Sequence, residues 1–469
     1  MSIKRRAALL FCGAAFSLLA ACGSGSSGGG APVPPGVVAP TLVSIAVTPA
    51  TASIDTAAIQ QFVATGTYSD GSTGNLSSAV TWKVGSTPTA AITGSGVASG
   101  VDAGTSTVSA FAGSVVSNAA LLEVKPTTWK PVASMNGARA AHKAVVLLSG
   151  EVLVAGGSTA ALSAERYNPS TDKWTVTGQM INNRVHHGMF LLKTGKVLVF
   201  AGNNSVVVNG TDTDNYLLNT ELYDPVNGTW TAAAPMNNGR RFHAATMLED
   251  GKVLVSGGTN GADVNSTEIY DPVANTWAVV APLNTQRSFH TATLLPGNKV
   301  LVTGGVNSNG RLASAEVYNP VAGTWMLATG TMAEPRQQHT ATLVNGKVVV
   351  VGGRTTLGSN FWTANSEIFD PASGLFTAGD SMTDQRSVHT ANLMPNGNLI
   401  VAGGENGSAT GAPTQIAKSE TFGSAGSTPV QKTMNEARVF HSTVLLPNGR
   451  LLATGGYGSA GAPATAELL

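Results

Sequence analysis

The stretch that decides the fold is residues 287–325, RSFHTATLLPGNKVLVTGGVNSNGRLASAEVYNPVAGTW. It begins with an Arg-x-x-His motif, continues through two apolar runs separated by a turn, and reaches the pair Gly304-Gly305. After a loop comes Glu316 to Pro320, with Trp325 five positions past the proline. Short apolar runs divided by glycine-containing turns are typical of antiparallel strands.

The same pattern recurs along residues 126–469, and its histidines lie 45 to 56 residues apart. Four of the turns are Asp-Gly or Asn-Gly, which tolerate positive φ at both positions and so predict a hairpin of the first two strands. The seven Arg/His pairs are Arg139/His142, Arg184/His187, Arg240/His243, Arg287/His290, Arg336/His339, Arg386/His389 and Arg438/His441.

These repeats closely resemble the kelch family. The resemblance implies an all-β fold, a seven-bladed kelch β-propeller with four antiparallel strands in each blade. Two units depart from the pattern, one with Gly202-Asn203 in place of two glycines and one with Thr421-Phe422-Gly423 in place of Tyr-Asp-Pro. We expect the repeated aromatic residues to pack blade against blade: Trp129, Trp174, Trp230, Trp277, Trp325 and Phe376.

The two ends of the repeat array complement each other. Trp129 has the spacing of a fourth, outermost strand, whereas the last unit stops at residues 466–469 without a tryptophan. We therefore predict that the strand at Trp129 completes the last blade and removes two open sheet edges.

Residues 1–21 have the features of a signal peptide: three basic residues, then an apolar run too short for a permanent membrane span. Leu19-Ala20-Ala21-Cys22 resembles the bacterial lipobox, which implies cleavage before Cys22 and acylation of its thiol; the alternative is an ordinary signal peptide cut nearby. Gly23 favours the outer membrane or cell surface over retention at the inner membrane.

Residues 22–40 are rich in Gly, Ser and Pro, and we interpret them as a tether. Residues 41–125 contain short apolar runs at the spacing of a small sandwich, and they resemble the bacterial Ig-like domain of group 2. That resemblance makes Trp82 a core residue and the domain a spacer or adhesion module.

Composition excludes several functions. The net charge is +1 with 11% charged residues, so no basic field exists to hold nucleic acid. Both cysteines belong to the export segment, and kelch copper oxidases resembling galactose oxidase need a tyrosine crosslinked to cysteine. We found no metal motif, and we expect no cofactor and no catalytic residue. The enzymatic alternative is a sugar enzyme similar to kelch epimerases, with acid/base groups in the channel mouth.

The Arg/His pairs allow two interpretations. They could form a ring of cations around the channel that holds an anionic ligand, or they could be structural residues that join neighbouring blades. Because the pair accompanies every unit, including irregular ones, the structural interpretation is favoured.

The loops between second and third strands vary in length, and we predict that they surround one channel mouth and bind the ligand. The candidate ligand residues are Arg354, Trp362, Asn203 and Tyr457, with Trp362 folding back into its loop as the alternative. Residues 203–220 are expected to form a mobile loop. The predicted function is non-catalytic recognition of an extracellular glycan or protein by a monomer that contacts the membrane only through its lipid.

Overall fold

The computed structural model describes residues 40–469 apart from 57, 88, 102–103, 126–127, 160–161, 209–210, 356–360, 408–411, 423–429 and 460. The signal peptide, Cys22 and almost all of the tether lie outside the described residues. Regular structure in the described part is entirely β-strand, so it contains no helix long and apolar enough to cross a membrane. The all-β expectation is confirmed.

The first folded unit is a small β-sandwich built from short strands. Its strands are β1 (Leu42–Thr48), β2 (Thr51–Asp55), β3 (Ile59–Gln61), β4 (Val63–Tyr68), β5 (Thr73–Asn75), β6 (Thr81–Val84), β7 (Ala90–Ile92), β8 (Val97–Gly100), β9 (Gly104–Ala112), β10 (Val115–Val116) and β11 (Ala120–Lys125). One sheet has the order β1-β4-β5, a second has β10-β9-β11-β2 with β6 also on β9, and a third has β3-β8-β7. Trp82 is buried in its core and donates its indole N–H to the carbonyl of Ser77 at 2.8 Å, which confirms the core assignment.

The second unit is a propeller, and its described residues form seven four-stranded antiparallel sheets. The strands of blades 1 to 3 are β13 (Lys143–Val146), β14 (Val152–Ala155), β15 (Ala164–Asn168) and β16 (Lys173–Val176); β17 (Gly188–Leu191), β18 (Val197–Phe200), β21 (Thr220–Asp224) and β22 (Thr229–Ala233); and β23 (Ala244–Met247), β24 (Val253–Ser256), β25 (Thr267–Asp271) and β26 (Thr276–Val280). A separate hairpin, β19 (Asn203–Val208) with β20 (Thr211–Tyr216), extends from blade 2.

The remaining blades follow the same order. The strands of blade 4 are β27 (Thr291–Leu294), β28 (Val300–Thr303), β31 (Ala315–Asn319) and β32 (Thr324–Leu327), and those of blade 5 are β34 (Thr340–Val344), β35 (Lys347–Val351), β37 (Ser366–Asp370) and β38 (Leu375–Ala378). Blade 6 consists of β39 (Thr390–Leu393), β40 (Leu399–Ala402), β43 (Lys418–Phe422) and β44 (Val430–Thr433). Blade 7 consists of β45 (Ser442–Leu445), β46 (Leu451–Thr454), β47 (Ala466–Leu468) and β12 (Lys130–Val132). Two-residue strands mark the loops: β29 (Val306–Asn307), β30 (Gly310–Arg311), β33 (Arg336–Gln337), β36 (Arg354–Thr355), β41 (Glu405–Asn406) and β42 (Thr414–Gln415).

Blade 7 confirms the predicted closure, because β12 pairs antiparallel with β47 in the order β12-β47-β46-β45. Trp129, just before β12, donates its indole N–H to Ser419 Oγ of blade 6 at 2.8 Å. Three other repeated tryptophans also contact the preceding blade: the indole N–H groups of Trp174 and Trp230 donate to the carbonyls of Ala133 and Gly178, and that of Trp277 donates to Thr220 Oγ1 at 3.1 Å.

Candidate functional site

The repeated arginines lie inside the blades. Each is at most 1% exposed and pairs with a glutamate on the third strand of its own blade, which in blades 1 to 4 is the glutamate of the Glu-x-Tyr motif. The pairs with N–O distances of 2.6 to 2.9 Å are Arg139–Glu165, Arg184–Glu221, Arg240–Glu268, Arg287–Glu316, Arg336–Glu367 and Arg438–Glu467, and Arg386 pairs in the same way with Glu420. These arginines are neutralised and are not free to hold an anionic ligand.

Each of these glutamates also fixes the chain that enters its blade. Glu165 accepts the backbone N–H groups of Asn136 at 2.6 Å and Gly137 at 3.0 Å, three and two residues before Arg139. Arg139 in turn donates to the carbonyl oxygens of Gly156 at 3.0 Å and Ser163 at 3.1 Å. The pair therefore ties the crossover, the second strand and the third strand of one blade together.

The repeated histidines are buried between blades. His142 Nε2 contacts Thr454 Oγ1 at 2.9 Å, and His290 Nε2 contacts Ser256 Oγ at 3.1 Å, in each case on the preceding blade. Burial, followed by the nearby arginines, lowers the pKa of His243 and His339 to about 3. At neutral pH these imidazoles are uncharged, so the geometry gives the Arg/His motifs a scaffold role.

A backbone ring joins all the blades. The N–H of the second glycine after each second strand donates to the carbonyl of the next arginine in the circle, at 2.8 to 3.0 Å. The donors and acceptors are Gly157 to Arg184, Gly202 to Arg240, Gly258 to Arg287, Gly305 to Arg336, Gly353 to Arg386, Gly404 to Arg438 and Gly456 to Arg139. The last bond closes the circle.

This ring corrects the assignment in blade 2. Arg184 donates to the carbonyl of Ala201, and Gly202 makes the interblade bond, so the pair is Ala201-Gly202 rather than Gly202-Asn203. Ala201 keeps the left-handed backbone of the missing glycine, at φ 56°. Blade 2 therefore keeps the backbone geometry of the glycine pair, although its first residue is Ala201.

An inner ring was missed by sequence reasoning. The residue before each repeated histidine has a left-handed backbone, with φ between 53° and 55°. Several are joined by backbone hydrogen bonds, such as Ala141 N–H to Phe440 O at 2.9 Å. The members are Ala141, His186, Phe242, Phe289, Gln338, Val388 and Phe440, and the available sequence signal was the aromatic residue at this position in three repeats.

Three of the four predicted ligand residues occupy one equivalent position, directly after the glycine pair. Asn203, Arg354 and Tyr457 each form an antiparallel pairing with the segment just before the repeated histidine that begins their own blade, as in Val439 with Tyr457. The loops between second and third strands therefore share one face with the crossovers between blades. We call this the loop face.

Arg354 and Trp362 are engaged within the protein. Arg354 forms an ion pair with Glu405 of blade 6 at 2.5 Å and lies over the Trp362 ring, 5.0 Å from its centroid. Trp362 is only 6% exposed and its indole N–H donates to Ser387 Oγ at 3.1 Å. Trp362 folds back as in the alternative interpretation, because its hydrogen bond and apolar surface are both satisfied by neighbouring blades; it does not present an aromatic platform to a ligand.

The insertion after blade 2's second strand is also more ordered than expected. Instead of a mobile loop it contains the hairpin β19-β20, in which Asn203 pairs with Tyr216. Asp214 accepts a hydrogen bond from Asn203 Nδ2 at 2.6 Å and forms an ion pair with Arg241 at 2.8 Å. The described residues contain no group of three His, Cys, Asp or Glu side chains placed to hold a metal ion.

A cavity of about 390 Å³ opens on the loop face where blades 7, 1 and 2 meet. It brings two predicted ligand residues, Asn203 and Tyr457, to one site, while Arg354 and Trp362 are absent from its lining. The lining residues are Ala141, Gly157, Ser158, Thr159, Asn183, Arg184, Val185, His186, Asn203, Asn204, Phe440 and Tyr457.

The described lining residues of the cavity carry no unpaired charge. Arg184 is neutralised by Glu221, and burial, reinforced by Lys143 and Arg241, lowers the pKa of His186 to about 4. None of the lining residues is Asp or Glu, so the acid/base carboxylates expected of a sugar-epimerase-like enzyme are not found there.

The fold and the closed ring define an all-β protein made of a small sandwich followed by a β-propeller. Comparison with family models agrees: the Kelch motif matches residues 240–284 and 287–330, and the bacterial Ig-like domain of group 2 matches residues 42–123. The chain therefore combines a group 2 bacterial Ig-like domain with a propeller that contains kelch motifs.

Two curated proteins are similar to parts of the chain. Over 105 residues the chain is 42% identical to ice-binding protein 1 of Shewanella frigidimarina (strain NCIMB 400), covering 20% of this chain and 12% of that protein. Over 118 residues it is 30% identical to Kelch-like protein 6 of Homo sapiens, covering 25% of this chain and 18% of that protein. The chain thus spans only a small part of the length of each relative.

Among solved structures, a fungal alcohol oxidase of the AA5 family in complex with copper is similar over 73% of this chain and 76% of that chain. The TM-score is 0.58 and the sequence identity is 20%. At this identity the likeness concerns the fold alone.

Proposed function

We propose that the protein is an exported recognition module that binds an extracellular glycan or protein through the loop face of its propeller. Acylation of Cys22 would attach it to the outer membrane or cell surface, and the sandwich would act as a spacer. The observation that carries the proposal is the open cavity at the junction of blades 7, 1 and 2. Grafted loops on a rigid scaffold are a common way to build a binding site.

The architecture supports this assignment of faces. Second-to-third-strand loops and crossovers meet on the loop face, whereas the opposite face has short hairpin turns such as that between β17 and β18. The scaffold beneath is fixed by buried ion pairs and by the interblade backbone ring. Function therefore depends on side chains that the scaffold does not use.

A matched pair of threonine substitutions tests the choice of face. Thr159 is exposed at the cavity, and Thr194 is exposed in the opposite turn. Residues 41–469 would be screened on a glycan array and against extracellular proteins, and every binder would then be tested with Thr159→Arg and Thr194→Arg. We expect Thr159→Arg to reduce binding at least about tenfold by filling the cavity, with Thr194→Arg unchanged. A binder lost only with Thr194→Arg would contradict the loop-face proposal.

The lipid anchor has its own test, because two cysteines lie in the export segment. We expect Cys22→Ser to abolish incorporation of a fatty-acid analogue in metabolic labelling and to release the protein or leave it unprocessed. Cys12→Ser, a matched control, should keep the label. Label retained by Cys22→Ser would place the anchor elsewhere.

A further inference from the structure

The cavity on the loop face contains polar atoms that the protein itself leaves unsatisfied. Asn203 is 4% exposed, and its amide oxygen has no hydrogen-bond partner among the described residues. The hydroxyl of Ser158 is also buried and without a described partner. Because a buried polar atom without a partner is unfavourable, these atoms indicate a ligand that supplies hydrogen bonds.

A series of hydrogen bonds between asparagine side chains orients a third polar group, the amide of Asn183. Asn215 donates to Asn204 at 2.9 Å, and Asn204 donates to Asn183 Oδ1 at 2.7 Å. The bond to Asn183 Oδ1 fixes the orientation of this side chain, whose NH₂ group donates to none of the described residues. The site thus has an acceptor at Asn203, a donor at Asn183 and a hydroxyl at Ser158.

Aromatic surface lies beside these polar groups. Tyr457 and Phe440 of blade 7 line the cavity, and His186 is 5.6 Å from Phe440 between ring centroids. Aromatic faces next to fixed amide groups suit a molecule that has apolar C–H surface and several hydroxyl groups. A volume of about 390 Å³ is in the range of small-molecule sites, about 300–1,000 Å³.

The one charged side chain among the described lining residues is already paired. The guanidinium of Arg184 is paired with Glu221, and Arg241 beside the cavity is paired with Asp214. No other Lys, Arg, Asp or Glu is among the described lining residues, so a carboxylate or ammonium group would lose its hydration without a partner.

We propose that this cavity binds a neutral saccharide, with Asn203 accepting from a hydroxyl group, Asn183 donating to another, and Tyr457 contacting the ring's C–H surface. The proposal rests on the recognition role proposed above and names the ligand class for the same face. It involves no covalent step.

Saturation-transfer NMR and calorimetry on residues 41–469 would test the proposal. The probes are the neutral sugars glucose, galactose, mannose, N-acetylglucosamine and their β-linked disaccharides, with glucuronate and sialic acid as charged probes. Asn183→Ala and Tyr457→Ala should each weaken binding of a neutral sugar about tenfold, the effect of losing one good contact. Thr259→Ala, at the position equivalent to Tyr457 in blade 3, should leave it unchanged.

The outcomes separate this proposal from the broader one. Equal melting temperatures of the variants and parent would show that weakened binding is not unfolding. If no neutral sugar binds while a protein partner is captured and released by Thr159→Arg, the saccharide proposal fails and the recognition role stands. Preference for a charged sugar, or sugar binding unchanged in both Asn183→Ala and Tyr457→Ala, would also overturn it.

Discussion

At the scale of single residues, the buried arginine–glutamate pairs make the propeller most sensitive to substitution. Arg287 is fully buried and is compensated by Glu316 at 2.9 Å and by the carbonyls of Gly304 at 2.6 Å and Ser314 at 3.1 Å. Removing one member of such a pair leaves the other charge buried without a counterion, which costs more than the pair contributes.

We expect Glu316→Gln to lower the free energy of unfolding by about 3 kcal/mol, measured by urea denaturation. The amide would also place N–H groups against the N–H groups of Asn284 and Thr285, which now donate to Glu316. As a control, Lys347→Ala removes an exposed pair with Asp370 and should cost less than about 0.5 kcal/mol. A Glu316→Gln variant as stable as the parent would contradict the assigned role.

Sequence reasoning identified the repeated arginines and histidines but not the partner of the arginine. The reason is spacing: the arginine–glutamate separation varies from 26 residues in blade 1 to 37 in blade 2, because the loop between them varies. A fixed-interval motif cannot reveal such a pair. The unsatisfied oxygen of Asn203 was equally hidden, since it depends on which neighbours take up the amide NH₂.

At the scale of elements, blade 7 depends on a strand taken from the other end of the propeller sequence. Trp129 is 4% exposed and packs among apolar residues of blades 6 and 7, including Met394, Ile400 and Leu451. Its carbonyl accepts from Asn435 Nδ2 at 3.0 Å. Closure was predictable because the missing strand and the unpaired strand had complementary patterns.

Trp129→Ala should destabilise the propeller by about 3–5 kcal/mol through the lost apolar burial and the cavity left between blades. Thermal unfolding followed by circular dichroism would measure this. Val226→Ala, at a side chain 90% exposed in a turn of blade 2, should change stability by less than about 0.5 kcal/mol. A melting temperature of Trp129→Ala equal to that of Val226→Ala would refute the importance of this closure.

The loops were less predictable than the blades. Their position on one face followed from propeller topology, but their internal structure depends on contacts between blades. Residues 203–208 and 211–216 pair as a hairpin whose Asp214 forms an ion pair with Arg241, and the Trp362 indole donates to Ser387 of the next blade. Neither contact leaves a periodic signal in the sequence.

At the scale of the whole molecule, all eight histidines belong to the propeller and none to the sandwich. Burial, followed by neighbouring arginines, lowers the pKa of His142, His187, His290 and His389 well below the ordinary value of 6.5, and lowers that of His441 to about 3. The unfolded chain therefore binds more protons than the folded chain between about pH 6.5 and pH 3.

The free energy of unfolding therefore falls with decreasing pH. The contribution of these histidines is complete above pH 6.5 and is lost as the pH falls toward their pKa in the folded protein. Going from pH 7 to pH 5 should cost about 2 kcal/mol for each fully buried histidine. Hydrogen exchange on the full chain should show the propeller losing protection at pH 5 while residues 41–125 keep theirs. Propeller protection that stays constant between pH 7 and pH 5 would contradict this pH dependence.

The closure of blade 7 also sets an order of events in time. Trp129 and Asn435, which bond to each other, are 306 residues apart, so a ribosome adding about 5–20 residues per second needs roughly 15–60 s between them. Throughout that interval the strand beginning at Lys130 has no partner, and the interblade backbone ring lacks the bond from Gly456 to Arg139. Until blade 7 closes, the nascent propeller is an open arc with two unpaired strand edges. We expect these edges to be prone to pairing with other chains, so the cell has to keep them apart from such partners until closure.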